Sequence, residues 1–152
     1  MFLRLLALCA LVLPCLGGCA TAPSAEAIAA AEIGDAPSVE DCILTAKVMT
    51  MPTLKDPGSA LFAFGTSVRR SAYPKGFGPY VVAWLFNYSV NAKNSFGGYV
   101  GAEPRTLWFV HGECVAFSEK YGPLTLKDPL SMVTIRAAGK EMGLIEAPPA
   151  PR

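Results

Sequence analysis

Between Tyr80 and Val90 the even positions read Tyr80, Val82, Trp84, Phe86, Tyr88 and Val90, whereas the odd positions decline from Val81 to Asn87 and Ser89. Alternation of period two among β-branched and aromatic residues predicts a strand with one strongly apolar face. Leu61 to Val68, where Phe62 and Phe64 alternate with small residues, predicts a second strand, followed by a loop rich in glycine and proline from Tyr73 to Pro79. Phe96 to Gly101 and Arg105 to Phe117 are further strand-like runs, punctuated by Gly97, Gly98, Gly101, Pro104 and Gly112. Together these segments predict an antiparallel meander of three to five strands.

The apolar period changes between Ser38 and Met51, where Val39, Cys42, Ile43, Ala46 and Met49 fall on one helical face. Ser38 supplies an N-cap, Asp41 a capping-box partner three residues on, and Pro52 an end. Near the C-terminus, Asp128-Pro129 reads as a cap followed by proline at the first helical position, which predicts a helix over 129–141. The β-branched run at Met132 to Ile135 equally suits a strand, so both assignments stand. The expected fold class is α+β, a small antiparallel sheet packed against one or two helices. Thr53 to Ser59 and Thr125 to Ser131 match at six of seven positions. Reuse of Asp-Pro turn chemistry explains this echo better than duplication.

The ends of the chain carry a different signal. Arg4, the apolar run from Leu5 to Leu16 and then Gly17-Gly18-Cys19 have the layout of a cleaved secretory signal, too short to span a bilayer as a helix. Leu16-Gly17-Gly18-Cys19 resembles the lipobox of bacterial lipoproteins. That resemblance implies a signal peptide over 1–18 and acylation of Cys19, and Ala20 after the cysteine is similar to the outer-membrane sorting class. It places the protein in the bacterial cell envelope, lipid-anchored at the outer membrane and facing the periplasm, with membrane lipid as its first partner. Residues 19–37, rich in Ala, Pro, Ser and Glu, are expected to form a flexible tether. Residues 38–146 then form a single domain, and the proline-rich residues 147–152 a frayed tail.

Removing the signal leaves 12 basic and 12 acidic residues, a balance that argues against nucleic-acid binding. It also leaves Cys42 and Cys114 as the only ordinary thiols. In an oxidising compartment these two are expected to pair, closing a loop whose chain entropy contributes about 4 kcal/mol. The alternative is two independently buried small hydrophobes.

Asn91 to Gly101 is dense in Asn, Gly and Ser. One reading is a tight connection between strands. The other is a binding surface, with Asn91, Lys93, Asn94 and Tyr99 presenting polar groups beside exposed aromatics. Leu54-Lys55-Asp56-Pro57-Gly58-Ser59-Ala60, followed by a strand and then Asn91-Ala92-Lys93-Asn94-Ser95-Phe96-Gly97-Gly98-Tyr99-Val100-Gly101, resembles a group of small exported bacterial proteins and lipoproteins of uncharacterised function. The resemblance implies export and a compact α+β domain, and transfers no catalytic residue. Where members of that group carry Cys-Gly, this chain has Asn87-Tyr88.

Catalytic chemistry finds little footing. His111 and Cys114 supply only two ligands where a structural zinc site uses four, and alternate strand positions would separate them. Asp56, Glu103, Glu113 and Asp128 are the candidate acids for a hydrolase acting on cell-wall or ester substrates, without a pairing that singles any out. Arg69, Arg70, Tyr73, Lys75 and Phe77 read as a solvated basic and aromatic loop. No metal or cofactor is expected. The favoured function is a non-catalytic binding or assembly accessory with an envelope protein as partner.

Overall fold

The computed structural model describes residues 21–75, 78–119 and 122–145. The expected signal peptide over 1–18, Cys19, Phe77 and the expected tail over 147–152 lie outside them. The fold is α+β. Strands β1 (Leu61–Phe64), β2 (Arg69–Pro74), β3 (Tyr80–Asn91), β4 (Glu103–Val110), β5 (Glu113–Glu119) and β6 (Gly122–Ser131) form one antiparallel sheet of order β1-β3-β4-β5-β6. β2 pairs with the first half of β3, beside the stretch that β1 occupies, so two short strands share one long edge. Three helices accompany the sheet: α1 (Ala25–Ala30), α2 (Val39–Thr50) and α3 (Met132–Glu141).

Alternation along β3 builds a core on each side of the sheet. Phe86 and Tyr88 point with Leu107, Phe109 and Cys114 into the main core, where Cys42, Leu44 and Ala46 of α2 and Ile135 of α3 cover them. Ala83 and Leu85 point the other way, into a smaller cluster with Tyr73, Trp108 and Ala116. The Tyr73 and Trp108 rings meet there at 5.0 Å. Tyr73 is also hydrogen-bonded to Thr125 of β6, so the sheet curls until β2 meets β6.

The helices begin where serine chemistry starts them. Ser38 Oγ accepts from the Asp41 amide at 3.0 Å, as the sequence predicts. Ser131, rather than Asp128, caps α3 by accepting from Thr134 at 3.3 Å. The helical assignment holds from Met132 to Glu141, so Met132 to Ile135 is not a strand, while Asp128-Pro129, expected to start the helix, lies inside β6. Between Cys114 and Ala116 the β5–β6 register jumps from Leu130 to Thr125, an irregularity that contains Pro129, where proline's missing amide hydrogen is tolerated. The repeated heptad adopts 3-10 turns at Met51–Thr53 and Pro57–Ser59 in its first copy and this bulged strand in its second, which argues against duplication. Gly139 lets α3 approach α2, since a Cβ there would sit 2.7 Å from Leu44 Cδ1.

Three expectations are corrected. Arg69 to Tyr73 is a strand, not a loop, because it pairs antiparallel with Val81 to Leu85 of β3 and buries Tyr73 in the smaller cluster. Phe96 to Gly101 is a turn-rich connection, not a strand. The expected tether over 19–37 is, from Ser24 onward, docked on the sheet. Arg70 Nη1 donates to the carbonyls of Ala29 at 2.9 Å and Ala31 at 2.8 Å, satisfying the exposed C-terminus of α1. Its guanidinium also lies 4.9 Å from the Trp84 ring centroid. Ile33 is buried, its carbonyl accepts from the His111 amide at 2.8 Å, and Trp84 Nε1 donates to Gly34 O at 3.0 Å.

Gly34 is the joint of this docked segment. Its φ is +73°, and an added Cβ would lie 2.9 Å from the His111 Cα. Gly34→Ala is therefore expected to destabilise the fold by roughly 1–3 kcal/mol. Limited proteolysis should then cut residues 24–36 well before the sheet. Unchanged resistance to protease would contradict the docking.

Candidate functional site

β1 and β3 pair with Leu61 opposite Asn91 and Phe62 opposite Val90. Extending that ladder outward sets Ser59 opposite Lys93, and Ser59 Oγ accepts from the Lys93 amide at 3.0 Å. The two sequence motifs 54–60 and 91–101 thereby close on each other. Between them lies a cavity of about 220 Å³, lined by Leu54 and Lys55 from the first motif and by Lys93, Asn94 and Val100 from the second.

The connection from β3 to β4 above this cavity is internally braced. Asn94 Oδ1 accepts from the amides of Phe96 at 2.9 Å and Gly98 at 3.1 Å, while the Asn94 amide donates to Gly98 O at 2.9 Å. Asn91 Oδ1 accepts from the Gly101 amide at 3.1 Å. Both asparagine carbonyl oxygens are therefore engaged in holding the loop, so Asn91 and Asn94 shape the surface more than they offer acceptors to a partner. Lys93 pairs across the loop with Tyr99, and its Nζ stands 5.7 Å from the Tyr99 ring centroid. The braced turn carries Phe96 at its tip with 97% exposure, beside exposed Tyr99 and Val100. Phe96, Tyr99 and Val100 together give this ordered turn an exposed apolar face.

The floor of the cavity is Arg105 of β4, whose side chain is only 9% exposed. Its guanidinium donates to the Tyr88 hydroxyl and lies 3.8 Å from the Glu103 carboxylate. Tyr88 shares a 2.9 Å hydrogen bond with Thr50 of α2, so a buried polar chain runs from the helix to the cavity floor. Burial raises the Tyr88 pKa above its ordinary value, while the Thr50 hydrogen bond and the Arg105 charge oppose that shift. Arg105, Lys55 and Phe96 were not singled out in the sequence as site residues. Lys55 stood within the first motif, and a charge just ahead of the apolar run Leu107 to Val110 was the available signal for Arg105.

The other candidates are dispersed. His111 sits exposed at the β4–β5 turn with φ of +50°, whereas Cys114 is fully buried. Among the described residues no three His, Cys, Asp or Glu side chains gather as a metal site. Asp56 precedes a 3-10 turn, Glu103 opens β4 beside Arg105, Glu113 opens β5 and Asp128 sits exposed on β6, so the four acids share no pocket.

Cys42 and Cys114 share the main core as free thiols, and the expected cross-link is not formed. Cys114 Sγ instead donates toward Met49 Sδ at 3.7 Å and Ala116 O at 3.6 Å. Burial pushes both thiols up to about 12. No family model, curated protein or solved structure matches this chain.

The thiol shifts have a definite sign. A folded pKa above the unfolded value means that the unfolded chain ionises first, so the stability supplied by the neutral buried thiols is present below about pH 9 and is lost as pH rises beyond it. The thermal midpoint is expected to hold to that pH and then fall. Peptide mapping after alkylation near pH 8 should find Cys42 and Cys114 unlabelled in the native chain and both labelled in denaturant. A linked Cys42–Cys114 peptide would contradict the free-thiol state.

Proposed function

We propose that this protein is a lipid-anchored component of the bacterial envelope, held through acylated Cys19 at the outer membrane and facing the periplasm, that acts as a non-catalytic binding or assembly accessory. The reading rests chiefly on one observation: the two resemblance motifs meet at a single surface, locked by the Ser59–Lys93 hydrogen bond beneath a fully presented Phe96. Such a surface offers an aromatic anchor, flanking apolar contacts and a fixed backbone, which is the composition of a protein-binding patch.

The placement of the ends suits this role. The N-terminal segment meets the sheet at Arg70, Trp84 and His111, whereas the loop leaves β3 after Asn91, about 23 Å further along the strand. Only the residues from Cys19 to Ser24 would separate the anchor from the docked helix, a reach of about 18 Å. The docked segment at Ala31 to Gly34 and the contact loop therefore meet the sheet at separate places along β3. No helix among the described residues is long and apolar enough to cross a membrane, so retention in this reading falls to the acyl chains.

Two measurements test the reading together. Labelled fatty acid should appear on the native chain and vanish in Cys19→Ala. Phe96→Ser should lower the yield of a cross-linked envelope partner about tenfold with no change in thermal midpoint. Absence of label, or capture indifferent to Phe96, would overturn it.

A further inference from the structure

The cavity beneath the loop has a charge and a shape of its own. Lys55, Lys93 and Arg105 line it against a single acid, Glu103. Arg105 is held in place from behind by Tyr88 and, through it, Thr50. A buried guanidinium costs desolvation, and here that cost is met in a position where the charge also lines an opening. The remaining wall is apolar, from Leu54, Val90 and Val100, with Thr53 adding a hydroxyl. One half of the cavity thus suits an anion and the other a small aliphatic group.

Building on the reading of this loop as a contact surface, we infer that the cavity captures the carboxyl terminus of a partner polypeptide ending in a small aliphatic residue. The terminal carboxylate lies toward Lys55, Lys93 and Arg105, and the last side chain lies against Leu54, Val90 and Val100. Charge-assisted hydrogen bonding to Arg105, which Tyr88 holds in position, supplies orientation, and Lys55 and Lys93 add positive charge beside it. Capture of a terminal carboxylate by fixed donors is a general mode of peptide recognition. A volume of about 220 Å³ accommodates one such residue with its carboxylate, and the apolar wall gives a bare inorganic anion nothing to fill it with. Phe96, Tyr99 and Val100, exposed beside the cavity, would cover the residues that precede the terminus.

The test is fluorescence anisotropy on the full chain in detergent, using an N-terminally labelled peptide that ends in Ala-Ala-Val as the free acid and the same peptide as its C-terminal amide. The free acid is expected to bind, with the amide roughly tenfold weaker or worse. Lys55→Glu and Lys93→Glu should each weaken the acid by a similar factor. These lysines are surface side chains, so an unchanged thermal midpoint separates lost binding from lost folding where an Arg105 variant would not. Equal binding of acid and amide, no binding of either, or inorganic phosphate displacing the probe as well as unlabelled acid would overturn the inference. So would adsorption of anionic-lipid vesicles that depends on the same lysines. If the peptide fails while partner capture still needs Phe96, the cavity assignment falls and the contact surface stands. If the peptide binds while capture ignores Phe96, the cavity assignment stands and the broader surface falls.

Discussion

One strand sets the terms for everything else. β3 pairs with three neighbours and buries side chains on both faces, so its register cannot slip by a residue without exchanging Phe86 and Tyr88 for Ala83 and Leu85. The pairing of its last residues with β1 and β4 then fixes where the chain leaves the sheet. That exit is where Lys93 meets Ser59 and where Asn94 braces the turn beneath Phe96. The position of the proposed contact surface is in this sense a consequence of strand register.

The second constraint is the docked N-terminal segment. Arg70 stacks on Trp84 and donates to the carbonyls at the end of α1, so one side chain joins sheet, aromatic face and helix terminus. A segment of Ala, Glu and Ser with so little to bury is held mainly by backbone acceptors, together with the buried Ile33. The consequence is geometric. Docking leaves fewer free residues before the domain than the composition of 19–37 suggests, and it holds Ile33 and Gly34 against the sheet.

Much of this fold was legible because its strongest signals are local. Period-two alternation over Tyr80 to Val90 and the Ser38 cap each decide their element within a dozen residues, and both elements form where expected. β2 was hidden because Arg69 and Arg70 look solvated until Trp84 and the α1 carbonyls appear opposite them, a pairing across more than ten residues of chain. The docking of residues 24–37 was hidden for the same reason, since alanine-rich composition carries no trace of a distant arginine. At the candidate site, the sequence singled out the Asn91 to Gly101 loop, but the bracing task of its amides could not be read there, because an asparagine that braces a turn and one that offers itself to a partner are the same letter. Arg105 acquires meaning only once Tyr88 and Thr50 stand behind it.

The account stands or falls on the closure of the two motifs over one cavity. Amide hydrogen exchange at Lys93, compared between the native chain and Ser59→Ala, probes that closure directly. Slow exchange at Lys93 that accelerates about tenfold or more in the variant, with the Phe86 amide unchanged, is the result the account predicts. Equal Lys93 exchange in the two chains would mean that the motifs do not hold each other, and the surface built on their meeting would be lost.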